Sequence, residues 1–293
     1  MSAPDRRLNA FRPDLADARL KGVVQAERFA EGRPAVVAAP VADVLSAPRG
    51  DSGLDTQLLA GDEVAVFDES EGWSWVQAAR DGYVGYVRST DLGPAGRQPT
   101  HRVAVPRTFA YLADDMKSPR RTALSLGSML VATGASERRG TSYVRIGDDG
   151  HVVAQHLRPV DGEPDADYVS VAETLERTPY LWGGASAFGL DCSGLVQLSM
   201  RMAGIAVPRD TDMQQRSVGT EIDPAEGLRR GDLVFWKGHV AIMLDAENII
   251  HANGHTMSVA REPLAAAMER IAIPDVQEDG IDFLSARDAG LGG

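Results

Sequence analysis

The sequence predicts an α+β protein in which a helix packs on an antiparallel sheet, preceded by two small β-barrels. Residues 35–162 contain short apolar runs of strand length, divided by turns rich in Gly and Asp. The order of these runs occurs twice, which is typical of tandem copies of one small barrel. Beyond residue 165 a helical pattern is followed by three consecutive strand-like runs, as expected of a separate α+β domain.

Residues 1–34 are polar and are predicted to form an arm that packs on the remainder of the chain. This segment contains one helix-like stretch, over residues 14–20. It has no apolar core of signal-peptide length, and no part of the sequence approaches the ~20 apolar residues that span a bilayer. The single cysteine excludes an internal disulfide, so a cytoplasmic protein is expected, although export by another route would leave the same pattern.

Residues 35–99 are predicted to form the first barrel. Its strands are expected at residues 35–37, 41–45, 57–59, 63–67, 73–77 and 82–87. The aromatic pair Trp73 and Trp75 would suit a ligand platform, but a place in the barrel core with one ring exposed is the favoured interpretation.

Residues 100–162 are predicted to form the second barrel. Strand-like runs occur at residues 104–105, 110–112, 126–131, 141–146 and 150–153. A linker rich in Pro, Asp and Gly follows, so the last domain is placed at residues 163–293. That domain is expected to contain an amphipathic helix at 169–175, a buried helix at 192–203 and strands at 232–236, 239–243 and 248–252.

The charge balance argues against two classes of partner. The 30 basic and 42 acidic residues give a net charge of −12, which disfavours binding to nucleic acid or to anionic membrane lipid. The acidic side chains are scattered, so most of them are expected to form a solubilising surface. The oligomeric state is left open.

The most direct indication of chemistry is the lone cysteine, Cys192. Its neighbours Asp191 and Ser193 are residue types that cap helices, so Cys192 is expected in or just before the first turn of a helix. Unpaired backbone N–H groups and the helix dipole favour a thiolate there, and the same N–H groups can receive an oxyanion. Most free cysteines are small buried hydrophobes, but the preceding Gly-Gly and the polar neighbours favour a nucleophile.

Two histidines, His239 and His251, follow in apolar strand-like runs. If the hairpin turns at Asp245, they lie opposite one another on one face, with Cβ atoms ~5 Å apart. This arrangement suits a general base oriented by a second imidazole, with Cys192 as nucleophile. A Cys/His/His zinc site is the alternative. It lacks the close ligand spacing and further thiols of most zinc sites, so neither a metal nor another cofactor is expected.

A series of motifs resembles the NlpC-type cell-wall cysteine peptidases, a papain-like family. The resemblance covers residues 166–285 through Pro-Tyr-Leu-Trp-Gly-Gly, Asp-Cys-Ser-Gly-Leu-Val, Pro-Arg-Asp-Thr, Arg-Gly-Asp-Leu-Val-Phe-Trp, Gly-His-Val-Ala-Ile and Ile-Ile-His-Ala-Asn. The two N-terminal barrels are similar to bacterial SH3 domains. The combination resembles the γ-D-glutamyl–L-diamino acid endopeptidases that process peptidoglycan peptides.

This resemblance implies a role for each catalytic residue. It makes Cys192 the nucleophile, His239 the base and His251 the residue that orients the base. Tyr180 matches a tyrosine beside the oxyanion site.

The resemblance also implies a substrate site that the first barrel closes at one end and that holds the free amine of an N-terminal L-Ala. Asp191 and Ser193 match the contributors from the catalytic domain, and Thr211 matches a hydroxyl residue that lines the cleft. Tyr83 is the expected contributor from the barrel, with Tyr86 in the barrel core, and the reverse assignment of the two tyrosines stays open. A helix cap is the alternative role for Asp191.

The activity implied is hydrolysis of the bond between the γ-carboxyl of D-Glu and a diamino acid, expected to be meso-diaminopimelate. The expected substrate is a soluble peptide from peptidoglycan turnover, as in murein peptide recycling. Two alternatives stay open, namely an endopeptidase that acts on intact peptidoglycan and a non-enzymatic wall-binding module built from the barrels.

Overall fold

The computed structural model describes residues 4–147, 150–165, 167–271 and 281–286. The chain divides into two compact units, residues 1–162 and 163–293. The predicted α+β class is confirmed, because the N-terminal unit is built mainly of strands and the four α-helices of the described residues all lie in the second unit. No helix in these residue ranges is long and apolar enough to cross a membrane.

The N-terminal arm does not form the predicted helix. Strand β1 (Leu15–Asp17) pairs in parallel with β2 (Arg28–Ala30), and a single 3-10 turn (Ala18–Leu20) lies between them. The Asp17 carboxylate caps this turn by accepting a hydrogen bond from the Arg19 backbone N–H (2.9 Å). All of β1 is buried, and this burial overrides the weak helical pattern of the segment.

The arm packs on the first barrel through a small apolar cluster. The members of this cluster are Ala10, Leu15, Phe67 and Trp75. The Arg12 guanidinium lies 4.4 Å from the centroid of the Trp75 ring, and it donates hydrogen bonds to Asp68 (2.6 Å) and to the Tyr86 hydroxyl (3.2 Å). Tyr86 therefore packs against the arm, and its predicted place in the barrel core is wrong.

The first barrel is one curled antiparallel sheet with the strand order β5-β4-β8-β7-β6-β3-β9. Its strands are β3 (Arg33–Val37), β4 (Val41–Leu45), β5 (Leu54–Leu59), β6 (Glu63–Ser70), β7 (Trp73–Ala78), β8 (Val84–Arg88) and β9 (Leu92–Pro94). Both Trp73 and Trp75 are buried, so the prediction of one exposed ring is wrong. The arm covers Trp75, and the Arg88 guanidinium lies 4.1 Å from the Trp73 ring centroid.

The second barrel consists of two antiparallel sheets, with the orders β13-β10-β17 and β12-β11-β16-β15-β14. Its strands are β10 (His101–Val103), β11 (Arg107–Tyr111), β12 (Arg120–Ser125), β13 (Met129–Leu130), β14 (Ala132–Arg138), β15 (Thr141–Ile146), β16 (His151–Val153) and β17 (Leu157–Pro159). Sequence analysis missed β10, β12, β14 and β17. Of these, β12 and β14 are edge strands of the larger sheet, and they lack the alternation that marks a half-buried strand.

The two barrels meet at the turn before β6. The Met129 N–H donates a hydrogen bond to the Ala60 carbonyl (2.7 Å). Gly61 adopts φ +82°, and a Cβ there would lie 2.2 Å from the Met129 carbonyl oxygen. Only glycine therefore permits this close approach.

The C-terminal unit is built on a six-stranded antiparallel sheet with the order β20-β25-β21-β22-β23-β24. The strands of that sheet are β20 (Thr220–Glu221), β21 (Asp232–Trp236), β22 (His239–Met243), β23 (Asn248–Asn253), β24 (Ser258–Pro263) and β25 (Asp282–Ser285). A separate two-stranded sheet of this unit pairs β18 (Ala185–Ser186) with β19 (Gly189–Leu190). The helices of the unit are α1 (Tyr168–Thr174), α2 (Cys192–Met202), α3 (Thr211–Ser217) and α4 (Leu264–Ile271).

The sheet contacts helices from two parts of the chain. Helix α2 contacts β22 and β23. On one face of the sheet, alternate residues of β21, β22 and β23 pack with α4 in an apolar cluster that includes Ala241, Ile249 and Ala267. Because side chains alternate along a strand, His239 and His251 belong to this same face.

The arm should contribute measurably to the stability of the N-terminal unit. We expect Leu15→Ala to lower the free energy of unfolding by about 2–5 kcal/mol, because Leu15 is completely buried beside Trp75. Val23→Ala is the matched control, since Val23 is 63% exposed in the same arm, and its effect should stay within about 0.5 kcal/mol. Urea unfolding followed by tryptophan fluorescence measures both. A wild-type midpoint for Leu15→Ala would contradict the packing role of the arm.

Candidate active site

Cys192 is the first residue of helix α2. The Asp191 carboxylate caps the helix by accepting a hydrogen bond from the Gly194 N–H (2.7 Å). A Cβ at Gly194 would lie 2.1 Å from the Gly184 carbonyl oxygen, so glycine is required where the Gly-Gly loop crosses the helix start. The thiol therefore lies at the positive end of the helix dipole.

The Cys192 thiol is buried between α3 and the start of β22. Its Sγ lies 3.7 Å from the Thr211 Oγ1 and 4.0 Å from the Gly238 carbonyl oxygen, next to His239 in the chain. Burial raises the pKa of this thiol, and the Asp191 charge raises it further, while hydrogen bonds from Thr211 and the Val240 N–H oppose the rise. The resting thiol is protonated, so it needs a base to become a nucleophile.

The two histidines contact one another directly. The His239 Nε2 lies 2.8 Å from the His251 Nδ1, and the ring centroids are 5.0 Å apart. The prediction placed the two histidines directly opposite one another on one face. They lie on one face, but diagonally across the strands. The pairing of Ile242 with Ile250 centres the turn on residue 246, one residue beyond Asp245. Asp245 accepts hydrogen bonds from two backbone N–H groups of the turn, which holds this register.

His239 is a neutral imidazole at neutral pH. The Trp236 ring packs on it with a centroid separation of 5.6 Å. Burial, helped by His251 and Arg270, lowers the pKa of His239 to about 3, against a raising effect of Glu262. A neutral imidazole can accept the thiol proton, which an imidazolium cannot.

Tyr180 presents a phenol that stays protonated. Its backbone pairs with Leu190, and its N–H donates a hydrogen bond to the Met257 carbonyl (2.9 Å). Burial raises the pKa of Tyr180 to about 12, with smaller contributions from Cys192 and Asp191. The phenol can therefore donate a hydrogen bond to an oxyanion that forms near the thiol.

Arg209 is a buried cation that sequence analysis did not single out, although it lies in the Pro-Arg-Asp-Thr motif. Its side chain is 1% exposed, and it donates to both Asp191 oxygens (2.6 and 3.0 Å) and to the Ser193 Oγ (2.7 Å). The Asp191 Oδ2, which lies 2.6 Å from Arg209, also accepts a hydrogen bond from the Gly183 N–H (2.9 Å). Asp191 and Ser193, predicted to bind a substrate amine, are thus engaged by a buried ion pair at the helix start.

The other two predicted substrate-binding residues lie in different units. Thr211 is the first residue of α3 and touches the thiol, whereas Tyr83 belongs to the N-terminal unit. Tyr83 lies in the loop before β8, where its N–H donates to the Asp81 carboxylate (3.1 Å) and its side chain is buried. The structure therefore brings the predicted residues of the C-terminal unit together, and Tyr83 stays a prediction.

Two further charged residues extend the histidine pair. The His251 Nε2 lies 2.7 Å from the Glu262 Oε1, and Arg270 of α4 donates hydrogen bonds to both Glu262 oxygens. Sequence analysis missed both residues, because their proximity depends on the register of β24. The only available signal was the strand pattern of residues 258–263, which places residues 260 and 262 on one face.

The described part of the chain contains no group of three or more His, Cys, Asp or Glu side chains that could hold a metal ion. The His239 Nε2 and the His251 Nδ1 face each other, since they are 2.8 Å apart. Nucleophilic chemistry by Cys192 with His239 as base is the reaction for which the described geometry is suited.

Comparison with protein families gives two matches. Residues 177–271 match the NlpC/P60 family, and residues 44–92 match the bacterial dipeptidyl-peptidase Sh3 domain. A similar protein is dipeptidyl-peptidase 6 of Lysinibacillus sphaericus, with 28% identity over 75% of this chain and 87% of that protein. The γ-D-glutamyl-L-lysine dipeptidyl-peptidase of Bacillus cereus is 28% identical over 72% of this chain and 71% of its own length.

A solved structure has the same fold. It is an NlpC/P60 family protein from Bacillus cereus, which superimposes with a TM-score of 0.70 over 86% of this chain and 99% of that one, at 22% identity. Together with the family matches, this likeness confirms the predicted SH3-type and peptidase folds.

The buried ion pair should support both the stability of the C-terminal unit and the reactivity of the thiol. We expect Arg209→Met to lower the free energy of unfolding by about 3–5 kcal/mol, because Asp191 would stay buried without its partner. Arg209 also lowers the pKa of Cys192, so its loss should raise that pKa and slow alkylation by iodoacetamide at neutral pH. Urea unfolding and the pH dependence of alkylation measure these effects.

The matched control for this prediction is Arg216→Met. Arg216 is exposed on α3 and pairs with Asp212 at 2.7 Å, so its loss should change stability by at most about 1 kcal/mol. If Arg209→Met has effects as small as Arg216→Met, the ion pair does not organise the helix start.

Proposed function

We propose that Cys192 cleaves γ-D-glutamyl–diamino acid bonds in peptidoglycan-derived peptides. The chain is a cysteine peptidase whose NlpC/P60 domain follows a bacterial SH3 domain, and Cys192 is its one cysteine. The observation that carries this proposal is the position of a lone thiol at a helix start, beside the strand that begins with the buried, neutral His239.

The proposed mechanism uses each group at a defined atom. His239 takes the thiol proton, and the Cys192 Sγ attacks the γ-carbonyl carbon of D-Glu. The Cys192 N–H and the Tyr180 hydroxyl stabilise the oxyanion. His239 then protonates the departing amine of the diamino acid, which leaves a thioester. Water, deprotonated by His239, hydrolyses this thioester and restores the thiol.

The proposed substrate has a free N-terminus and the order L-Ala-γ-D-Glu-diamino acid. Two similar proteins are named γ-D-glutamyl-L-lysine dipeptidyl-peptidase, a name that contains L-lysine as the diamino acid. Meso-diaminopimelate is lysine with one further carboxylate on its ε-carbon. The leaving group is therefore the α-amine of the diamino acid in both the lysine and the diaminopimelate peptide. We propose meso-diaminopimelate as the natural diamino acid and soluble turnover peptides in the cytoplasm as the source.

The sequence resemblance assigns Asp191 and Ser193 to the proposed amine site, and the contribution of Tyr83 stays a prediction. Because Arg209 already engages the Asp191 and Ser193 side chains, we propose that these two act by fixing the start of α2 rather than by offering a free charge. Thr211 is proposed to line the cleft beside the thiol.

Cys192→Ser should abolish hydrolysis of L-Ala-γ-D-Glu-meso-diaminopimelate and leave the fold intact, since a neutral hydroxyl lacks the nucleophilicity of a thiolate. Product masses should show L-Ala-D-Glu and free diamino acid with the wild-type protein, and neither product with the variant. Near-UV circular dichroism tests the fold. Wild-type turnover by Cys192→Ser would refute the assignment, and cleavage of the L-lysine peptide alone would refute the choice of diamino acid.

N-acetylation of the tripeptide should reduce kcat/KM by at least about tenfold, because the acetylated nitrogen carries no charge and loses charge-assisted hydrogen bonds worth about 1.5–3 kcal/mol each. The assay compares initial rates for the free and acetylated peptides, with purified sacculi as a third substrate. Equal rates for the two peptides, or efficient release of peptides from sacculi, would favour an endopeptidase of intact peptidoglycan instead.

A further inference from the structure

The His239–His251 pair is the inner part of a longer line of hydrogen-bonded groups. The line runs across neighbouring strands from His239 on β22 to His251 on β23 and Glu262 on β24, with separations of 2.8 and 2.7 Å. The register pairs His251 with Ala260, so Glu262 lies diagonally from His251 on the same face. Arg270 of α4 closes the outer end.

The outer end of this line can only accept hydrogen bonds from the histidines. Arg270 donates to both carboxylate oxygens of Glu262, one of them at 2.7 Å, and these bonds together with the Arg270 charge lower the pKa of Glu262. A guanidinium has no acceptor, so Glu262 is held as a carboxylate. An ionised carboxylate has no proton to donate to His251.

The acceptor at the outer end determines the proton positions along the whole line. His251 is almost completely buried, and its Nε2 must carry the proton that Glu262 accepts. Because burial lowers the pKa of His251, this ring is neutral and its Nδ1 carries a lone pair. That lone pair accepts from the His239 Nε2, so the single proton of neutral His239 is on Nε2 and its Nδ1 is free to accept a proton.

We infer that Glu262, held by Arg270, is a positioning residue that acts through His251 to keep His239 in the one tautomer whose Nδ1 can take the thiol proton. Without this acceptor, His251 could carry its proton on Nδ1 and donate it to the His239 Nε2. His239 would then carry its own proton on Nδ1 and could not act as the base. The inference rests on the proposed role of Cys192 and His239, and it adds the residue that selects their protonation state.

Histidine ¹⁵N NMR of the wild-type protein at neutral pH tests this inference without any substrate. The ring signals are assigned with His239→Gln and His251→Gln, and the coupling pattern shows which nitrogen carries the proton. We expect Nε2–H with a bare Nδ1 for both rings. An Nδ1–H form as the main species of either ring would overturn the inference, whatever the substrate of the enzyme is.

Glu262→Met provides the functional test. We expect kcat/KM to fall by more than about tenfold with KM little changed, since a wrong tautomer costs up to roughly 10⁴-fold in kcat in serine-protease triads. Alkylation of Cys192 by iodoacetamide should slow in parallel, and the His251 signals should show a larger Nδ1–H population. The alkylation rate does not depend on the peptide, so it separates failure of this inference from failure of the proposed substrate.

Glu269→Met is the matched control, because it removes the same charge from an exposed position next to Arg270. It should leave kcat/KM, alkylation and the histidine spectrum unchanged. A folded Glu262→Met protein that behaves like Glu269→Met would overturn the inference. If Glu262→Met does not fold, the wild-type spectrum still decides.

Discussion

The start of helix α2 depends on one buried ion pair, between Asp191 and Arg209. Arg209 reaches this position from the segment before α3, and Asp191 binds it while also capping α2 and receiving the Gly183 N–H. Three segments of the chain, which contain Gly183, Asp191 and Arg209, are thereby fixed around Cys192. A guanidinium this deeply buried is stable only while its hydrogen bonds are complete, so the pair confers rigidity as long as both partners are present.

The position and the neutral state of the two histidine rings are set by the sheet and not by residues next to them in sequence. Strand alternation places them on the face that packs against α4, where apolar residues exclude water. Desolvation keeps both rings neutral, and the carboxylate that faces them is compensated by Arg270 at the outer edge. The site thus keeps its base in the neutral form that can accept the thiol proton, and its resting interior carries little charge.

Features set by local pattern could be predicted, and features set by register could not. Strands such as β4, β15, β21 and β22 alternate or are continuously apolar, and they end at residues that the sequence indicates. The helical pattern of residues 14–20 failed because tertiary burial outweighs propensity over so short a segment. Arg209, Glu262 and Arg270 could not be found, since an ion pair between distant residues leaves no periodic signal in one sequence.

The hairpin turn centred on residue 246 also constrains how this sequence can diverge. Its register is set by Ile242 opposite Ile250 and by the backbone hydrogen bonds to Asp245. A single inserted or deleted residue must be absorbed within the turn, because a slip of β23 by one position would turn His251 to the opposite face of the sheet. Related sequences should therefore tolerate substitutions in this turn far better than changes in its length.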